Sequence, residues 1–563
     1  MPNPVAVNDL QPISGSLQTS RVSYGVETAG KNYGQDYNGT TWYSDIPNNG
    51  TFYTIISDNY TANYYVSRSN AEGAYVEGGL PAVDEYSAPV FWITQGTSSL
   101  DIITIVNGLP DRIGQVPFNS GSQALNWVAS SSNYFAVGPD YYDQIDADNL
   151  IFCIEGNQVI SYPTTGSTWY DLSGYFMKGT LTNGTTWNSN DYMVFDGTDD
   201  YINFGNNSTF NVGTTGSLSI DILFKTTDTA GALVTKRLGS GPQVYVLSSK
   251  LYADGGGTVG IYSANNVNNN RWTRGTVVYD RASSLLRLYV NGVADNAQAL
   301  GSTTLTDTSD LYLGTALLGS GIPHDFYTGS IAETLIYPKA LTAADVAQNY
   351  YGGPIVTDGL QVALDISNLV SYPKSGTTVY DLTGNYSITA TNSTYEKTSD
   401  GVPAWRFTGN NSRLNVVNFN VADSSNTYEG WFKINSIGVS EGKANNWNTL
   451  FDSGNERPLV GFLNGSGWVY PASYGGAFSI TSGVWFHIAT VFVSDNDVTV
   501  FLNGQKVVAN SNWGYTQRTG TFDFWIGGDT STESMDGWVS NCRFYNRALT
   551  DSEVLQNYNA TKK

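Results

Sequence analysis

Residues 161–174 read SYPTTGSTWYDLSG and residues 371–384 read SYPKSGTTVYDLTG, with nine of fourteen positions identical at an offset of 210. The likeness runs far beyond these strings. DNLIFCIEGNQVISYP (148–163) matches DGLQVALDISNLVSYP (358–373), and FDGTDDYINFG (195–205) matches FTGNNSRLNVV (407–417). ILFKTT (222–227) corresponds to GWFKIN (430–435), and LRLYVNGVA (286–294) to VTVFLNGQK (498–506). PKALTAADVAQNYYG (338–352) closes the first series as NRALTDSEVLQNYNA (546–560) closes the second. Offsets that stay between 208 and 213 mean that a whole domain is duplicated, not a short solenoid unit. Residues 1–145 stand apart as an N-terminal domain, 146–353 form the first copy and 354–563 the second, with Gly352-Gly353-Pro354 as the hinge between them.

Each copy alternates with strand period, as in LSIDILFK (218–225) and VTVFLNG (498–504). Asn291-Gly292 and Asn503-Gly504 predict tight hairpins, because both residues of that turn take positive φ. Thr342-x-x-Asp345 and Thr550-x-x-Glu553 predict one short capped helix at the end of each copy, with Val346, Tyr350, Val554 and Tyr558 on its packing face. The N-terminal domain reads as β from segments such as FYTIISD (52–58), APVFWIT (88–94) and LDIITIV (100–106), and SQALNWVASSSNYFAV (122–137) predicts a short helix before a strand. The fold class expected is all-β: tandem antiparallel sandwiches behind a β-rich N-terminal domain.

Composition narrows the partners. Charged residues make up only 13%, apolar residues 40% and aromatics 13%, which suits uncharged strand faces and excludes a disordered chain. The net charge is −22, from 27 Lys+Arg against 49 Asp+Glu, with no basic cluster. Nucleic acid and anionic membrane surfaces, which need clustered Lys and Arg, are not expected partners. No apolar run of 18 residues suggests membrane insertion, and the N-terminal MPNPVAVNDLQPISGSL lacks the basic and apolar regions of a signal peptide. Cys153 and Cys542 are expected to be free thiols.

The order D-[GN]-L, SYP, TxxYDLSG, FDGTDDY, YVNG and ALTAADVAQNY resembles the laminin-G / concanavalin A-like jelly-roll domain, over about 418 residues. It resembles in particular the variant found in structural proteins of tailed bacteriophages. WYSDIP, VFWIT and ALNWVASSSNYFAV also resemble segments ahead of such domains in phage proteins. The resemblance implies two antiparallel sheets face to face, and a virion protein that is a fibre, a whisker or a decoration. Residues 1–145 would then anchor to other virion proteins while the sandwiches meet host surface glycans, and a homotrimer is the expected assembly. A bacterial carbohydrate-binding lectin or adhesin is the alternative, and a polysaccharide hydrolase a third.

Several candidate sites stand beside a simple structural reading. The YDLSG strings read as turn and strand grammar, with the Asp satisfying backbone N–H groups. Asp196, Asp199 and Asp200 put three carboxylates within five residues, part of what calcium needs, although the second copy reads Thr408-Gly409-Asn410-Asn411-Ser412 there. Trp513 and Tyr515, in NSNWGYTQ (510–517), are the glycan-contact candidates, while the other tryptophans (Trp169, Trp187, Trp272, Trp447, Trp468, Trp525, Trp538) read mainly as packing. His324 and His487 have no neighbouring Cys or His to make a zinc site. No G-x-S-x-G string and no tight E-x-D-x-E strand is present, so the chain is expected to be non-enzymatic, with calcium as its one candidate cofactor.

Overall fold

The computed structural model describes residues 145, 150–158, 161–162, 164–173, 177–256, 260–301, 304–399, 401–409, 411–422, 425–436, 447–453, 459–463, 466–470, 474–494, 497–510, 519–528 and 533–561, and the strands before them. Those earlier strands form two four-stranded antiparallel sheets. Pro12–Ile13, Phe52–Thr54, Tyr65–Arg68 and Tyr75–Glu77 make one, and Leu125–Asn126, Pro89–Ile93, Ser99–Val106 and Leu109–Pro117 the other. Gly34–Gln35 pairs with Thr41–Trp42. Leu125–Asn126 is a strand, and the rest of the helix expected over 122–137 lies outside the described residues.

The chain divides into two compact units. Met1–Asn270, Gly275–Val290 and Ala294–Thr342 make the first, and Arg271–Arg274, Asn291–Val293 and Ala343–Lys563 the second.

Two eight-stranded antiparallel sheets enclose the first copy's core. One runs Thr186–Asn188, Tyr192–Asp196, Thr328–Tyr337, Leu218–Lys225, Thr273–Asp280, Leu285–Val290, Val293–Ala299, with Phe152–Glu155 also on Thr328–Tyr337. The other runs Thr168–Tyr170, Lys178–Thr182, Tyr201–Asn203, Tyr312–Leu313, Ala230–Thr235, Pro242–Leu247, Lys250–Gly255, Gly260–Asn266. The second copy repeats the plan strand for strand. There Asp536–Tyr545 takes the central place, between Pro403–Thr408 and Asn426–Ile434, and also pairs with Leu360–Asp365. Alternate side chains turn inward, so Phe152, Ile220, Phe224, Val244, Val246, Leu288 and Ile331 fill one core, and Trp405, Phe432, Phe451, Phe524 and Phe544 the other. At roughly 25 cal/mol per Å² of apolar surface buried, these cores are the main stabilising term.

The duplicated string has the same structural use in both copies. Asp171 is buried; its Oδ1 accepts from Cys153 N (2.9 Å) and Ser173 N (2.8 Å), and its Oδ2 from Ser173 Oγ (2.8 Å). Asp381 accepts from Ala363 N (2.9 Å), Thr383 N (3.0 Å), Thr383 Oγ1 (2.6 Å), Asn385 N (3.0 Å) and Tyr386 N (3.1 Å). The Tyr162 hydroxyl donates to Gly166 O as that of Tyr372 does to Gly376 O. Ser161 Oγ donates to Tyr170 O and Ser371 Oγ to Tyr380 O. A short carboxylate beside Ser or Thr thus ties the first strand of each copy to its next turn.

The Asn-Gly turns take the expected positive φ, 52° and 76° at Asn291-Gly292 and 51° and 74° at Asn503-Gly504. Helix Asp551–Ala560 opens with the full capping box, Thr550 and Glu553 each bonding the other's backbone. Helix Ala343–Tyr351 belongs to the second compact unit, where the Tyr350 hydroxyl donates to Leu382 O (2.8 Å) and Asn368 Nδ2 donates to Tyr350 O (2.8 Å). No helix among the described residues is long and apolar enough to cross a membrane.

Candidate functional site

The second sheet of the first copy carries an unusual outer face. Val244, Val246, Leu251, Ala253 and Ile261 point into the core, so period-2 alternation turns Tyr245, Tyr252 and Tyr262 the other way. The register sets them side by side, Tyr245 opposite Tyr252 and Tyr252 opposite Tyr262. Their ring centroids are 6.4 Å and 4.7 Å apart. Exposure rises along the row, from 9% at Tyr245 to 40% at Tyr262. The result is a strip of rings, buried at one end and open at the other, as cross-strand aromatic pairing favours.

Polar groups edge the strip. Arg237 Nη1 bonds Asp254 Oδ1 (2.6 Å) and Gln243 Oε1 (2.9 Å), and the Tyr252 hydroxyl donates to Asp254 Oδ2 (3.4 Å). Burial first, and then the Asp254 charge, pushes the Tyr252 hydroxyl up to about 12, so it stays a neutral donor and acceptor at physiological pH. The hairpin of Ala316–Leu317 and Pro323–His324 stands next to the strip, since Ala316 packs with Ala232 and Tyr245. Its tip exposes Leu318 and Ile322. Farther along the sheet, Tyr201 lies 6.0 Å from Tyr312 and 6.5 Å from Phe326, centroid to centroid.

The acidic loop is the second candidate. Strand Tyr192–Asp196 belongs to one sheet and Tyr201–Asn203 to the other, so residues 197–200 carry the chain across the rim of the sandwich. The three carboxylates of Asp196, Asp199 and Asp200 are brought together: one oxygen from each lies within 4.8 Å of the other two. Asp196 and Asp199 are exposed and Asp200 is buried. Trp513 and Tyr515 lie outside the described residues, as do the side chains of Trp447 and Trp468.

The sequence profile of the concanavalin A-like lectin/glucanases superfamily matches residues 196–347 and 408–555, more than half of the chain and once in each copy. The chain belongs to this superfamily. No curated protein matches it in sequence. Among solved structures it is similar to domain 4 of AbnA, a GH43 extracellular arabinanase from Geobacillus stearothermophilus, in complex with arabinotriose; identity is 19%, over 35% of this chain and 98% of that one, with a TM-score of 0.29. It is also similar to domains LG4-5 of the mouse laminin alpha1 chain (13%, 59% and 85%, TM-score 0.22). A third is the binding domain of botulinum neurotoxin DC in complex with rat synaptotagmin II (12%, 73% and 97%, TM-score 0.31).

Within this superfamily member the remaining candidates fall to packing. Trp169 and Trp272 are buried, Trp187 Nε1 donates to Gly156 O (3.0 Å), and Trp538 Nε1 bonds Glu396. His324 Nδ1, half-buried at the end of strand Pro323–His324, sits 3.0 Å from the exposed Asp325 Oδ2. His487 is wholly buried beside Trp431 and Tyr558. The tyrosine strip was missed by sequence reasoning. The available signal was the alternation in QVYVL, KLYADG and GIYSAN, each placing one tyrosine opposite the inward-facing residues.

Proposed function

We propose that this chain is a non-catalytic, glycan-binding component of a bacteriophage particle, and that the first copy binds sugar on the strip Tyr245–Tyr252–Tyr262. The observation that carries the glycan reading is that three tyrosine rings are direct cross-strand neighbours on an outward sheet face. Pyranose rings present a flat apolar C–H face and a hydroxyl rim. A graded aromatic strip takes the first, and fixed groups such as Arg237, Gln243 and Asp254 take the second. The laminin-G-like fold and the arabinotriose bound by the similar arabinanase domain agree with this reading.

Placement on a virion rests on the resemblance of the tandem domains, and of segments in residues 1–145, to tailed-phage structural proteins. In that setting the N-terminal domain holds other virion proteins, and a homotrimer would multiply weak glycan contacts through effective concentration.

Two experiments test the two parts. On a glycan array, the full chain is expected to retain a defined glycan class, and Tyr262→Ala to weaken retention about fivefold to tenfold. Equal retention by Tyr262→Ala and Tyr252→Ala would remove the strip from the function. Mass spectrometry of purified particles is expected to find the chain in stoichiometric amount. Its absence there would leave a bacterial lectin or adhesin instead.

A further inference from the structure

We propose that the loop of Asp196, Asp199 and Asp200 is a calcium site particular to the first copy. The argument starts from a comparison inside the chain. In the second copy the corresponding turn satisfies its own buried serine: Ser412, fully buried, accepts at Oγ from Thr408 N (3.2 Å) and donates to Gly409 O (2.6 Å), with no carboxylate in the string. In the first copy Asp200 takes the serine's place and performs half of its task, with Oδ2 accepting from Asp196 N (2.9 Å). Its other oxygen, Oδ1, is buried and has no hydrogen-bond partner, although Asp200 is only 3% exposed. A buried carboxylate oxygen without a donor is costly, and a cation is the simplest group that satisfies it.

The surroundings supply no such donor and add negative charge. Carboxyl oxygens of Asp196 and Asp199 lie within 4.8 Å of that of Asp200. Asp196 Oδ1 accepts from Thr198 N (2.7 Å), and Asn183 Nδ2 is committed to Asp199 O (3.0 Å). Gly184, at φ 138°, leaves the space beside Asp200 Oδ1 open; a Cβ there would stand 2.9 Å from that oxygen. All-oxygen donors on an open loop suit calcium, which accepts irregular coordination completed by carbonyls and water. Magnesium demands a tighter octahedron.

The test is isothermal titration of the EDTA-treated full chain with calcium chloride, and with magnesium chloride in parallel. The expected result is one calcium per chain, with a dissociation constant on the order of 0.1–1 mM and weaker magnesium binding. Asp200→Ser, which installs the second copy's residue, is expected to abolish the calcium heat. The exposed Asp199→Asn, whose fold is not at stake, is expected to weaken it about tenfold. An absence of calcium heat up to about 10 mM, well past that range, or unchanged binding in Asp199→Asn, would overturn the site.

Discussion

Arg543 Nη1 lies 3.0 Å from Glu429 Oε1, and neither side chain is more than 3% exposed. The two residues sit opposite each other on adjacent strands of the second copy. Asn557 of the closing helix donates to the same Glu429 oxygen (3.0 Å) and to the Tyr545 hydroxyl (2.9 Å). A charged pair is thereby enclosed where helix meets sheet. Burial raises the Glu429 pKa against the pull of Arg543; burial works to lower the Arg543 pKa, but the Glu429 charge and their hydrogen bond leave it raised.

Arg543→Leu is expected to destabilise the chain by about 3–5 kcal/mol, because it strands a buried carboxylate. The double variant Glu429→Leu/Arg543→Leu is expected to recover much of that loss. Urea denaturation of the four chains in a double-mutant cycle measures it. Additive losses would mean that the pair is not coupled.

His487 sets a pH dependence. Burial first, and then the Arg543 charge, lowers its pKa from 6.5 to about 3. Its Nε2 stands 3.7 Å from Glu429 Oε2, beyond hydrogen-bond reach, so the neutral imidazole is the form the site holds. The unfolded chain therefore binds one more proton between pH 6.5 and about 3, and stability falls as pH drops through that window. Between pH 7 and pH 5 the loss is about 2 kcal/mol relative to His487→Gln. The difference between the two profiles is read, so Glu429 contributes equally to both. Parallel profiles would refute the assignment.

The duplicated motif should behave as scaffold. Asp381→Ala removes five hydrogen bonds and Asp171→Ala at least three, those among the described residues, so a loss of about 2–3 kcal/mol is expected for each in thermal or urea unfolding. Glycan retention per folded molecule should not change. A variant of normal stability that loses its ligand would place function in the motif after all.

The thiols offer an inexpensive probe. Neither Cys153 nor Cys542 is in a disulfide and both are fully buried, and burial drives the Cys542 pKa well above 9.0. Neither is expected to react with a disulfide reagent in the native chain, and both should react within seconds in about 6 M guanidinium, well above the unfolding midpoint of an ordinary domain. Rapid native labelling of either would show that its sheet opens locally.

What the sequence disclosed was local. The Asn-Gly turns and the Thr550 capping box depend on two to four consecutive residues, and the Asp-Gly-Thr-Asp-Asp string announces its carboxylates directly. Duplication then distinguishes scaffold from difference without other proteins to compare. The tyrosine strip was not legible. Each tyrosine is an ordinary outward position, and only the register of three strands makes them neighbours. Glu429 and Arg543 are likewise 114 positions apart, and nothing near either residue names its partner.

The place of the last long strand in each copy governs how the chain can be made. Thr328–Tyr337 pairs with Phe152–Glu155 from the start of its copy, setting Phe152 opposite Ile336, and also with Tyr192–Asp196 and Leu218–Lys225. Asp536–Tyr545 has the same role in the second copy. A ribosome must therefore deliver almost an entire copy before its sheet has a centre. Each nascent sandwich waits for its final strand, and such long-range closure is slow. The first sandwich gains its central strand while most of the second is still to be synthesised, which keeps two sets of strands laid out on the same plan from competing for each other's partners.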